Sequence, residues 1–254
     1  MNKKHRLITA HPAVIAVWAA LMGAASLLPS FPIIGTGATF NIGNCFIPLA
    51  GIFFGPWAGA IAAGIGAFIG QLLAPYTVLF GPFQFIIAVM GAMVSGLAMQ
   101  KKWIWSLLTL IGLTLVWYAV PAGRAAWATP ILYLLGFAGI FVGWLFGKDW
   151  LTSPKRGKMF SGILCISLAG IVTTQAIGNL WALLFFKLPP LIWYTTLPIA
   201  PIERFTFSLG AAVIGTPLLI GLPKISIPVG PMLYDDEEED EDDKDKEEPK
   251  AAAG

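Results

Sequence analysis

The chain of 254 residues predicts an all-α polytopic membrane protein, a bundle of about eight transmembrane helices with an acidic tail. Three observations carry this. Apolar residues make up 57% and charged residues 12% of the chain, and the uncharged runs are long enough to fill a bilayer. The charge is divided: residues 235–254 hold 12 acids and three lysines, whereas residues 1–234 hold 13 bases and only two acids, Asp149 and Glu203. Glycine and alanine recur inside the apolar runs at three- and four-residue spacing, which lets membrane helices approach closely. The lipid bilayer is the partner such a body implies, and no nucleic-acid partner is expected.

Helices are expected near 13–28, 43–54, 57–74, 82–99, 103–120, 130–146, 160–186 and 202–222, where the chain runs apolar for a span or most of one. Pro56, Pro82, Pro130 and Pro201 stand at first-turn positions, where the missing N–H costs nothing. The first helix could be mistaken for a cleaved signal sequence after MNKKHR, but an uncleaved helix fits the charge asymmetry. Its alanines Ala16, Ala20 and Ala24 form one ridge at spacing four. The second run is too short to cross the hydrocarbon layer. With the third it reads as a pair folded tightly about Gly55-Pro56, the third carrying Gly59, Ala63, Gly66 and Gly70 along one ridge. The seventh run is long enough to be tilted or broken near Gly178. Residues 235–254 are too densely like-charged to bury a core, and are expected to be a disordered tail.

Lys3, Lys4 and Arg6, then Lys101 and Lys102, then Lys148, Lys155, Arg156 and Lys158, fall on one side of an eight-helix count. Cytoplasmic loops are enriched in such residues, so both termini are expected in the cytoplasm of a multi-pass cell-membrane protein. The loops near 29–42, 75–81, 121–129 and 187–201 are then external.

Polar side chains inside a membrane are costly and face a bundle interior or a cavity. At 1.5 Å per residue, Gln71, Gln175 and Asn179 lie roughly 21–28 Å from the cytoplasmic side. Asn41 and Asn44 open the second helix from outside, Gln84 lies in the first outer turn of the fourth, and Glu203 and Arg204 in that of the eighth. These residues converge on the outer third, an expected outward-facing site, although any one amide could simply bond a neighbouring helix. Trp193, beside Tyr194, suits an aromatic wall or an interfacial belt, the belt being the default. Asn179 is expected to be unpaired when the site is empty.

Cys45 and Cys165 lie in apolar runs and form no disulfide or metal pattern; no metal or other cofactor is expected. An intramembrane enzyme would need a nucleophile and base or metal ligands within the bundle. His5 and His11 both precede the first helix and the body has two acids, so no catalytic residues are expected. The chain carries no G-x-x-x-x-G-K-[ST] sequence, hence no P-loop of its own.

The text Asn41-Ile42-Gly43-Asn44, then Pro48-Leu49-Ala50-Gly51-Ile52-Phe53-Phe54-Gly55-Pro56-Trp57-Ala58-Gly59-Ala60, then Gly64-Ile65-Gly66, resembles the substrate-binding S components of energy-coupling factor (ECF) transporters. The likeness is strong over residues 13–99 and looser over 160–222. It implies a six-helix core, with the helices at 103–120 and 130–146 as an inserted hairpin and the tail as a further departure. It implies high-affinity binding of a small vitamin-like nutrient near the external face, for import by an ATP-driven complex. It also implies a transmembrane coupling subunit, met by the ridge of Ala16, Ala20 and Ala24, together with ATPase subunits. The alternative is a structural or assembly membrane protein with no small-molecule ligand.

Overall fold

His11 caps the first helix, its Nδ1 accepting from the Ala13 amide at 3.2 Å, and Pro12 fills the first turn. From here a computed structural model describes residues 11–28, 30–32, 39–153, 155–231 and 233. The acidic segment 235–254 lies outside the described residues. Helix α1 (Pro12–Ala25) leads to two short antiparallel strands, β1 (Ser30–Pro32) and β2 (Thr39–Asn41), paired Ser30 to Asn41. This ribbon stands where the sequence predicts only a loop. A 3-10 turn at Ile42–Cys45 then opens α2 (Phe46–Leu73).

Helix α2 is two arms joined at Gly55, whose φ of 80° and ψ of −178° lie in a region that only glycine occupies cheaply. Pro56 follows and cannot donate to the preceding turn. The arms fold back on each other: a Cβ on Gly59 would sit 2.7 Å from the Ala50 carbonyl carbon and the Gly51 Cα. In a straight helix those residues would be about 12 Å apart. The tight pair about Gly55-Pro56 is therefore present, and it brings both ends of α2 to the same end of the bundle.

The remaining helices are α3 (Phe85–Met99), α4 (Trp103–Ala119), α5 (Pro121–Ala125), α6 (Leu134–Leu151), α7 (Arg156–Phe186), α8 (Pro190–Thr196) and α9 (Ala200–Gly221). The short α5 and α8 lie in segments expected to be loops, each started by a proline. Helix α7 runs unbroken through Gly178, where a break was considered. A Cβ at Gly178 would meet only Ile87 and Phe80, both at 4.0 Å, so the glycine leaves space beside the helix and does not interrupt it. The helix ends at Lys187, left-handed at φ 46°, before Pro189 and Pro190.

Among the described residues five helical stretches are long and apolar enough to cross a membrane, the α2 pair counting as one; α1 and α4 are apolar but shorter. The fold is that of an all-α polytopic membrane protein, its eight runs being α1, the two arms of α2, α3, α4, α6, α7 and α9. Helix α7 packs against α2, α3, α4, α6 and α9. On one side, Trp18 of α1 sets its ring edge against Phe46, Phe53 and Phe54 of α2 at 5.1–5.8 Å. On the other, the glycine face of α6 receives the Trp103 ring at Gly143. Helical hydroxyls bond back to their own backbone, as Thr173 does to Ala169, Ser208 to Arg204 and Thr216 to Ala212, so they cost little in an apolar interior. The alanine ridge points outward: Ala16, Ala20 and Ala24 are exposed, while Ala19 and Gly23 are buried against α2.

Candidate functional site

A cavity of about 270 Å³ opens at the end of the bundle where α1 finishes, α2 begins and ends, and α9 begins. That is close to the lower bound of about 300 Å³ for small-molecule sites. The fold of α2 creates it, because Asn44 and Gln71 both line this one space; in a straight helix they would lie about 40 Å apart. Gln84, Gln175, Asn179, Trp193, Glu203 and Arg204 line it as well. The backbone of Asn41 ends β2 nearby in sequence, and its side chain lies outside what the structure describes.

The amides divide by what they already hold. Gln84 Oε1 accepts from the Leu79 and Phe80 amides at 2.6 and 3.1 Å, and its Nε2 donates to the Thr77 carbonyl at 3.1 Å. Gln71, in the orientation that suits its neighbours, accepts from the Phe85 amide at 2.9 Å and donates to the Pro82 carbonyl at 3.2 Å. Both side chains fasten the connection between α2 and α3, the floor of one wall. On α7, Gln175 Nε2 donates to Asn179 Oδ1 at 2.7 Å, and Asn179 Nδ2 donates to the Tyr133 hydroxyl at 3.4 Å. Asn179 is thus already paired within the protein, contrary to expectation, because its neighbours at positions 175 and 133 satisfy it.

That correction changes what a substitution does. Asn179→Ala should strand the Gln175 Nε2 donor and the Tyr133 hydroxyl, roughly 1–3 kcal/mol for a buried group left without a partner. Melting temperature and ligand affinity should fall together. Thermal unfolding and binding measured on one preparation check this; a fall in affinity alone would show that the pair does not support the fold.

Trp193 is 5% exposed and meets Trp117 of α4 edge-on, with centroids 5.0 Å apart and an interplanar angle of 83°. It is a buried wall residue and not part of an interfacial belt. Glu203 and Arg204 lie 3.9 Å apart with side chains 10% and 5% exposed, and the Arg204 guanidinium sits 5.9 Å from the Phe207 ring centre. Three contributors escaped the sequence reading: Tyr133, completely buried behind Asn179, and the cavity-lining Thr174 and Thr196. A tyrosine three residues past Pro130 at an outer helix start was a usable signal for the first. The threonines gave none, being indistinguishable from the others in the same helices. Among the described residues no group of three or more His, Cys, Asp or Glu side chains could hold a metal ion.

Residues 7–120, just under half of the chain, match the family model described as the ECF-type riboflavin transporter, S component. An uncharacterized protein of Methanocaldococcus jannaschii is 26% identical over 202 residues, 77% of this chain and 65% of that protein. The chain thus spans less than two thirds of that relative's length. No solved structure matches the chain. The matched region carries α1, the α2 pair, α3 and α4, and with them Asn44, Gln71 and Gln84 of the cavity. The resemblance to the S components of ECF transporters, substrate-binding membrane subunits and not enzymes, is borne out by this family match over residues 7–120.

Proposed function

We propose that the cavity captures a small vitamin-like nutrient from outside the cell and that the chain hands it to an ATP-driven ECF-type complex. The observation that carries this reading is the coincidence of the family match with a cavity walled by the polar side chains of an otherwise apolar bundle. The lysine and arginine asymmetry supports both termini being cytoplasmic, which puts the cavity at the external face. The chain has no nucleotide-binding loop, so ATPase subunits and a transmembrane coupling subunit are the partners the reading requires. Riboflavin is the first ligand to test, since the matching family model is named for it. The experiment is to purify the protein in detergent, identify any ligand carried through by mass spectrometry, and titrate riboflavin into the emptied protein. A protein that retains and binds no small molecule would favour a structural or assembly role.

The exposed Ala16, Ala20 and Ala24 support a contact with the coupling subunit, because association in lipid depends on close packing of small residues. Ala20→Trp should therefore abolish co-purification with the coupling and ATPase subunits while leaving ligand affinity within about twofold, the cavity lying elsewhere. An indole there holds a partner helix off, and dispersion contacts decay steeply over even about 1 Å. Normal assembly of the variant would show that the ridge faces lipid.

A further inference from the structure

The end of the bundle opposite the cavity is basic, and the described chain stops on it. Residues 222–233 run back across that end and are fastened there. The Ile227 amide donates to the Leu222 carbonyl at 3.1 Å, the Gly230 amide to that of Phe53 at 3.0 Å and the Leu233 amide to that of Gly230 at 3.1 Å. A Cβ on Gly230 would meet Leu219 of α9, Met99 of α3 and the Ile52 carbonyl just before the reversal of α2, and Leu233 is buried. The ends of α6 and α9 and the starts of α4 and α7 share this place. A Cβ on Gly215 of α9 would lie 3.3 Å from Ile163 of α7, one on Gly162 would meet Leu151 at the end of α6, and one on Gly147 would meet Trp103 at the start of α4. Lys101, Lys102, Lys155, Arg156, Lys158 and Lys224 stand at these helix ends and are exposed, and Asp149 is the one acid beside them among the described residues.

The sequence that follows supplies the opposite charge. Asp235 to Asp243 are nine acids in succession, beginning two residues after Leu233. Like charges so close repel one another, and a cationic surface relieves that repulsion. At no more than about 3.6 Å per residue, Asp235 reaches about 7 Å from Leu233 and Glu248 about 54 Å. Neighbouring helices pack about 8–10 Å apart, so all of these bases lie within reach. One exposed ion pair contributes little, but a short tether holds the whole run of acids near the surface at an effective concentration on the order of millimolar. Lipid headgroups ring a bundle at its perimeter and leave the face between the helix ends to water. An anionic leaflet would itself repel an acidic segment, which leaves the bundle's own end as the nearest cationic surface.

We propose that the acidic segment from Asp235 to Glu248 docks on the basic end of its own bundle, across Lys102, Lys155, Lys158 and Lys224, so that an anionic partner of this end must displace it. The test is zero-length carbodiimide cross-linking of the full chain in detergent, which joins a carboxylate to a lysine only where the two touch, read by mass spectrometry of the digest. A mixture of isotopically light and heavy protein separates links within a chain from links between chains. At about 0.01 M salt, where charges are screened over about 30 Å, residues 235–248 should link to those four lysines within one chain; at about 1 M, where screening takes about 3 Å, the links should fall at least about fivefold. The combined variant Asp235→Asn, Asp236→Asn, Glu237→Gln, Glu238→Gln and Glu239→Gln should raise the acetylation rate of the same lysines at least about twofold. Carboxylates that join only Lys244, Lys246 and Lys250 of their own segment, links found only between chains, links indifferent to salt, or unchanged acetylation each overturn the proposal. So do links present in nanodiscs of phosphatidylcholine and lost in nanodiscs holding phosphatidylglycerol, because lipid is then the occupant. The cross-linking uses the unmutated chain and stands whether or not the variant folds.

Discussion

Gly51→Ala should cost this protein about 3 kcal/mol of stability, and Gly51→Leu should prevent accumulation of folded protein altogether. A Cβ at Gly51 would run into the Ala92 carbonyl oxygen and come within 2.7 Å of the Gly96 amide nitrogen. Reciprocally, a Cβ at Gly96 would strike Pro56 and Gly55. These obstacles are backbone atoms, so no side chain can swing aside, and the whole of α3 would have to move off the first arm of α2. Overpacking ordinarily costs about 1–3 kcal/mol, and the backbone origin of the clash places this site at the upper end. For a chain of this size that corresponds to a melting temperature lower by roughly 6–12 °C. Gly112→Ala is the control: nothing lies within 4 Å of its Cβ position on α4, and replacing a helical glycine should be neutral or stabilise by up to about 1 kcal/mol. Thermal unfolding of Gly51→Ala, Gly112→Ala and the unmutated protein in one detergent measures the series, and the yield of folded protein reads Gly51→Leu. A melting temperature for Gly51→Ala equal to that of the unmutated protein would refute the close contact between α2 and α3.

Arg204→Ala should be the most damaging single change in the cavity. It leaves the Glu203 carboxylate buried beside an empty volume, and removing one member of a buried pair costs roughly 3–5 kcal/mol because the other charge stays unpaired. Ligand binding should disappear with it. Adding Glu203→Gln to this variant removes the stranded charge and should recover most of the stability without recovering binding. That separation between melting temperature and calorimetric titration distinguishes a pair needed for the ligand from one needed only for the fold. If the double variant is no more stable than Arg204→Ala, the pair is not coupled as its 3.9 Å separation suggests.

The sequence made the bundle legible where one physical requirement left one choice of residue. Gly55 before Pro56, between two uncharged runs, could only be a reversal. The glycines of the second arm could only be a close contact. Gln71, Gln175, Asn179, Glu203 and Arg204 could be grouped at one end of the bundle because depth follows from residue count along a helix, and all five line one cavity. What each side chain does in the cavity was less legible. Gln71 and Gln84 look from sequence like Gln175, yet their hydrogen bonds are fixed by loop carbonyls and amides that position along a helix does not reveal. Tyr133 and Trp117 escaped notice because their partners, Asn179 and Trp193, are 46 and 76 residues away. Periodicity reports which face of a helix is buried and says nothing about which distant helix covers it.

The amide of Gly230 donates to the carbonyl of Phe53 at 3.0 Å, just before the reversal of α2. A carbonyl there, at the end of an arm too short to span, has no helical partner beyond Pro56, and inside a bilayer it must be met by protein. The group that meets it is the 177th residue further along the chain. At ordinary elongation rates, the ribosome needs on the order of 10–35 s to make that much polypeptide. The reversal of α2 therefore reaches the membrane with this acceptor open, and synthesis must run past α9 before it is closed. Truncated chains that stop at the end of α9 should accordingly be recognised as unfinished by membrane quality control, with every spanning helix among the described residues already made.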